Sequence, residues 1–159
     1  MQDAGEPIPA SMHMDPSLEY VGFWRRVAAS IIDSVLVALL IYPLAVMVYG
    51  PGYFLDTRLL KGGADFAITW VLPAVLVIWL WVSWSGQTPG KRVVGAHIVD
   101  ADTGGPISTR KAIVRYLGYF VSTICLFIGF VWVGFDPKKQ GWHDHMAGTV
   151  VVRTRRGRT

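Results

Sequence analysis

Cysteine is nearly absent from this chain, and charge is scarce. The one cysteine, Cys125, lies in an apolar run, so no intrachain disulfide can form and the redox compartment stays open. Charged residues are 16% of the total against 52% hydrophobic, with a mean hydropathy of +0.40. Such a composition is too apolar for an ordinary soluble domain and points to a membrane protein. No secretory signal is expected: residues 1–20 are polar and carry Pro7, Pro9 and Pro16, and the first apolar run is too long for a signal-peptide core. The net charge of +4 is no nucleic-acid signature here, because basic residues flanking apolar segments set membrane orientation. No partnered nucleophile and base is visible, and no metal shell. We therefore expect no enzyme activity, no cofactor and no metal. The expected partners are the lipid bilayer and either further copies of the chain or another membrane protein, with no nucleic acid.

What is present is a set of apolar segments in a single domain, at about 24–49, 66–84 and 116–135. The first opens with Gly22-Phe23-Trp24-Arg25-Arg26, and from Val27 to Tyr49 its only charged residue is Asp33. An ionisable group within a span is costly in lipid and marks either a functional site or a polar contact between helices. Helical rise sets Asp33 about 10 Å deeper than Arg26, on the same face, with Ser30 between them. Arg25 serves as an ordinary basic flank. Arg26 is long enough to snorkel to the headgroups, whereas Asp33 is too short. Tyr20, Phe23 and Trp24 form an aromatic belt before the span. Pro43 predicts a kink, and Gly50-Pro51 an end. Asp65 is the expected N-cap of the second span, which carries Pro73. Residues 1–19 read as a disordered tail, 20–153 as the membrane domain and 154–159 as a basic tail.

Between the second and third apolar segments lies a polar block, Ser85 to Lys111. Arg92 to Asp100 is β-branched and predicts a strand, and 101–106 predicts a turn into a short returning strand. Ser108 or Thr109 can cap the helix that follows. Thr149-Val150-Val151-Val152 predicts another strand, sharing a sheet with Val93–Val99. Gly86-Gln87-Thr88-Pro89-Gly90-Lys91-Arg92 superficially suggests a phosphate-binding loop, but it lacks four residues between glycines and a Ser or Thr after the lysine; it predicts a tight turn. His143 and His145 flank Asp144, yet no further cluster completes a metal shell.

Charge decides between two courses for the third segment. Three simple crossings would leave seven basic residues on the inner flanks and eight outside, against the positive-inside rule. A re-entrant third segment, turning near Gly129, places thirteen inside and only Arg58 and Lys61 outside. The expected fold is thus an α-helical membrane protein: two full transmembrane helices, a third segment that re-enters or crosses, and a small cytoplasmic β-structure. Both termini are expected in the cytoplasm.

Three motifs in order carry a family resemblance: Gly22-Phe23-Trp24-Arg25-Arg26 with Asp33, then Gly86-Gln87-Thr88-Pro89-Gly90-Lys91, then Gly141-Trp142-His143-Asp144-His145-Met146-Ala147-Gly148-Thr149. They resemble the RDD family of bacterial and archaeal membrane proteins over about residues 20–153. Pro89 departs from the aliphatic residue usual at that place in the second motif. The resemblance matches the family's arginine and two aspartates to Arg26, Asp33 and Asp144. It implies an integral membrane protein of largely unassigned function, suspected of transport; we expect a multi-pass protein of the cell membrane. Two readings follow: a transport-related protein, cation- or proton-coupled and oligomeric, with Asp33 as the intramembrane carboxylate; or a scaffold or accessory subunit in which Arg26, Asp33 and Asp144 are structural.

Overall fold

A computed structural model describes residues 17–125 and 128–155. The expected tails at 1–19 and 154–159 therefore fall largely outside the described residues. Two helices are long and apolar enough to cross a membrane. The first, α1 (Phe23–Tyr49), contains Pro43 and ends at Gly50, whose φ of 79° permits the chain to turn away. The second, α2 (Gly63–Ser83), changes to a wider π turn over Ala67–Val71. Pro73 lies two residues after it, and its ring cannot sit against the carbonyl four residues back.

The connection between these helices is organised by Asp65, which is not the N-cap; that position is Gly62. Asp65 is buried, and its carboxylate accepts hydrogen bonds from Tyr53 Oη at 2.8 Å and Lys61 N at 3.0 Å. Tyr49 Oη in turn accepts from Asp65 N at 2.8 Å. These bonds close the far end of the helix pair.

At the opposite end lies a three-stranded antiparallel sheet, β1 (Leu18–Tyr20), β2 (Ala96–Asp100) and β3 (Thr149–Thr154), in the order β1-β3-β2. Val99 faces Val150, Ile98 faces Val151 and His97 faces Val152, so the expected pairing of the two valine-rich runs is present. Two-residue alternation sends Ile98 and Val151 to the core with Trp81, Val21 and Ile107, while Val99, Val150 and Val152 pack with Leu18 and Tyr20 on the other face.

Three details depart from the sequence reading. Pro89–Val93 is a short helix, α3, capped by Thr88, so the strand begins at Ala96. No returning strand follows the 101–106 turn before α4: Asp100 N–H donates to Gly105 O across a tight turn, and Ser108 caps α4 (Thr109–Ile124). And Leu18–Tyr20, taken as the tail's end and part of an aromatic belt, is a sheet strand.

The third apolar segment is α4 followed by α5 (Ile128–Val131), part of a short helical run Ile128–Gly134 set at 114° to α4. The break lies between Ile124 and Ile128 rather than at Gly129, which sits inside α5 against Ser122. A last short helix, α6 (Trp142–Ala147), precedes β3 and packs on α4.

Candidate functional site

Asp144 sits in the first turn of α6 and is fully buried. Its Oδ2 accepts from Gly141 N at 2.9 Å, closing the helix start. Arg26 Nη1 donates to the same oxygen at 2.5 Å, and Arg115 Nη1 donates to Oδ1. Both arginines are held elsewhere as well. Arg26 Nη2 donates to Lys139 O at 2.5 Å and its Nε to Val21 O at 3.0 Å. Arg115 Nη1 also reaches Thr149 Oγ1 at 2.7 Å. One carboxylate thereby ties α1, α4, α6 and β3 together. The approach of α6 to α4 depends on Gly118, where a Cβ would lie 2.8 Å from His143 Cα. Burial opposes ionisation of Asp144, but Arg115 and then Arg26 outweigh it and hold the carboxyl below the ordinary carboxylate range.

Asp33 does not meet Arg26. Its Oδ2 accepts from Thr88 Oγ1 at 2.5 Å and its Oδ1 from Gly90 N at 2.7 Å. Thr88 Oγ1 also accepts from Lys91 N at 3.4 Å, as an N-cap should. Gly90 is required by this approach, because a Cβ there would collide with Ala29 O and lie 2.9 Å from Asp33 Cγ. The 86–92 stretch is thus a turn and short helix docked onto α1 through Asp33. Of the three residues singled out from sequence, Arg26 and Asp144 form one ion pair while Asp33 belongs to a second cluster.

The sequence alone assigns no site role to Arg115, Thr88, Lys91 or Trp81, although Thr88 and Lys91 stand in the second motif. From sequence, Arg115 is one of the basic residues that flank the third apolar segment. Its signal was that it follows Ala112 and precedes Gly118 on a strongly amphipathic helix, on the face that α4 buries.

Both clusters border one groove of about 1020 Å³ between α1, α2 and α4. The helices α1 and α2 meet at the π turn, while α3 wedges against α1 near the sheet; the space between these two supports is the groove. Its walls are apolar, with Val37, Ala38, Ile41, Leu76 and Val77 among them, and its sheet end is polar, with Arg26, Asp33, Thr88, Lys91, Arg115 and His143. Among the described residues the Lys91 ammonium has no hydrogen-bond or ion-pair partner. It lies over the Trp81 ring at 5.3 Å. Burial pushes its pKa down.

His143 and His145 do not form a metal pair. His145 Nε2 lies 3.2 Å from Asp136 Oδ1 on the exposed side. His143 is buried against the rings of Tyr119 and Phe130, at 4.5 and 5.2 Å. Among the described residues no three His, Cys, Asp or Glu side chains group as metal ligands would. Burial pushes the His143 pKa from 6.5 down to about 3, with Asp144 opposing and the cations adding to the fall. The folded protein therefore holds this imidazole neutral. Stability from it is complete above pH 6.5 and is lost progressively as pH falls toward 3. Unfolding in detergent should show a midpoint that drops between pH 7.5 and 5, as the unfolding free energy falls by up to roughly 1 kcal/mol per pH unit. In His143→Gln that slope should flatten; an unchanged slope would assign it elsewhere.

The RDD family model matches residues 20–148, a stretch that contains Arg26, Asp33, Lys91, Arg115 and Asp144 and most of the groove lining. A Bacillus subtilis (strain 168) relative named "Uncharacterized protein YxaI" is 30% identical over 146 residues, covering 82% of this chain and 95% of its own. The "Uncharacterized membrane protein YteJ" of the same organism is 28% identical, over 84% of this chain and 80% of its own. The "Proline-rich antigen homolog" of Mycobacterium tuberculosis (strain ATCC 25618 / H37Rv) is 36% identical over 67 residues, 42% of this chain and only 28% of that protein's length. No solved structure matches this chain. Two apolar helices of spanning length, a membrane-protein relative, and an arginine and two aspartates placed as described agree with the family match: this chain is a membrane protein of the RDD family.

Proposed function

We propose that this protein binds an amphiphilic molecule in the groove between α1, α2 and α4, and that its role is transport-related: it moves or presents that molecule within the cell membrane. The observation that carries this reading is the groove's division into apolar walls along the spans and a polar end beside the sheet. A cation- or proton-coupled mechanism through Asp33 finds less support, because both carboxylate oxygens already accept internal hydrogen bonds. The protein is read as non-enzymatic. Strands β1, β2 and β3 share one sheet, which supports a re-entrant third segment and both ends of the chain on one side, and the basic-residue count favours the cytoplasm. Each spanning window is only 11% buried inside the monomer. That leaves most of α1 and α2 for lipid, further copies of the chain or another membrane protein, and a closed pathway would need such an oligomer.

The scaffold reading keeps one specific support, since Arg26, Asp33 and Asp144 all have internal partners. Filling the groove separates the two readings. Ala38 lines the wall, whereas Leu39 beside it is exposed and outside the groove. Ala38→Trp should weaken binding of a spin-labelled phospholipid by about tenfold, since displacing a few buried methylenes suffices, and Leu39→Trp should change it little. Equal effects from both substitutions would exclude the groove as the binding site.

A further inference from the structure

The polar end of the groove has more cations than carboxylates. Arg26, Lys91 and Arg115 line it, as does Asp33. Asp144 lies behind it and binds both arginines. With His143 neutral and Lys91 as its ammonium, three cations face two carboxylates, and one positive charge is left over. Neither carboxylate has an idle oxygen: Asp33 is occupied by Thr88 and Gly90, and Asp144 by Arg26, Arg115 and Gly141.

The uncompensated charge can be located. Arg26 and Arg115 bond to Asp144, so the cation without a bonded counter-ion among the described residues is Lys91. Its ammonium lies 5.3 Å from the Trp81 ring centre, and the Arg115 guanidinium approaches the same ring at 5.5 Å. Two buried donors in this cluster, Trp81 Nε1 and Arg115 Nε, have no hydrogen-bond acceptor among the described residues, although buried donors are nearly always paired. The polar end thus has donors and one positive charge in excess, and lacks an anionic acceptor.

We propose that the groove takes an anionic phospholipid, with its phosphate against the Lys91 ammonium beside Trp81 and its acyl chains along the apolar wall of α1 and α2. This rests on the amphiphile reading above and names the class of molecule. A lipid rather than free phosphate is favoured because the charged end continues into apolar walls, with Ile41, Leu76 and Val77 further along. A zwitterionic headgroup would bring its own cation to a place that already has one too many.

The full chain in nanodiscs can be tested with spin-labelled phosphatidylglycerol and phosphatidylcholine at trace level, read by electron paramagnetic resonance. Wild type should hold the anionic lipid about tenfold more tightly, the scale of one charge-assisted hydrogen bond. Lys91→Gln should bring the two lipids to parity, and Lys91→Arg should retain the preference. Ala38→Trp should weaken both. An unchanged preference in Lys91→Gln, or equal binding of both lipids by wild type, would overturn the anionic-lipid site. If Ala38→Trp still weakened both lipids, the amphiphile reading would survive that result; failure of Ala38→Trp as well would remove both. Inorganic phosphate is the third arm. Displacement of the labelled lipid by millimolar phosphate, with phosphate binding intact in Ala38→Trp, would assign the site to the free anion and end the lipid proposal.

Discussion

Asp144→Ala is expected to yield little folded protein. The wild-type carboxylate is fully buried between two guanidiniums and a backbone amide. Removing it leaves Arg26 and Arg115 close together with no counter-ion, and breaking a buried pair in this way costs about 3–5 kcal/mol. A domain with a net stability of about 5–15 kcal/mol cannot absorb much more. The loss also propagates, because the same carboxylate connects the start of α1, the middle of α4 and the lead into β3. Asp144→Asn keeps the shape and one acceptor but not the charge, so it should fall between wild type and alanine. A double-mutant comparison identifies the cause: Arg115→Met should cost far less in an Asp144→Leu background than alone, since the first change has already removed its partner. Size-exclusion profiles and unfolding midpoints in one detergent supply the readout. The pH response follows from the depressed carboxyl. Its stabilising contribution is complete above the ordinary value of 3.8 and is lost only as pH falls below that, later than the loss from His143. If Asp144→Ala elutes and melts like wild type, the cluster does not hold the fold.

The elements that could be read from sequence are those whose signal is local. The spans appear as long apolar runs with Gly50-Pro51 punctuating the first, and β3 as a run of valines after Gly148. The errors have local causes too. Val93 and Val94 are β-branched and look like strand, but Thr88-Pro89 is a cap followed by proline at the first helical position, and that start signal prevails over propensity. Leu18–Tyr20 is too short to show alternation and becomes a strand only because β3 offers a free edge to pair with. The site was legible as a set of residues but not as a set of bonds. Helical spacing placed Arg26 and Asp33 on one face, and both do border the groove. Their partners, however, lie 118 and 55 residues away in sequence, at Asp144 and Thr88. No periodicity encodes such pairings; the tertiary fold selects them.

Asp33 can be separated into a structural and a working role by two substitutions with opposite expectations. Asp33→Ala removes the acceptor for Gly90 N–H and Thr88 O–H at once. Two donors then lose their partner in a partly buried place, at a cost of roughly 2–4 kcal/mol. Because α3 carries Lys91 and leads into β2, undocking it should also loosen the polar end of the groove. Asp33→Asn is different. Its carbonyl oxygen can still accept from Gly90 N–H, and the Thr88 hydroxyl can rotate to accept from the new amide. We therefore expect Asp33→Ala to lower the unfolding midpoint sharply and Asp33→Asn to leave folding and assembly close to wild type, with anionic lipid held at least as tightly because one carboxylate near Lys91 is gone. A carboxylate that carries a proton or a cation would give the reverse for the second variant: a well-folded Asp33→Asn protein with its activity gone, since an amide neither titrates nor holds a charge. Cation flux into vesicles containing only this protein, measured for wild type and Asp33→Asn, decides between them. Flux present in the first and lost in the second would return Asp33 to the centre of a coupled transport mechanism, whereas no difference between the two would leave it as the anchor that docks α3 onto α1.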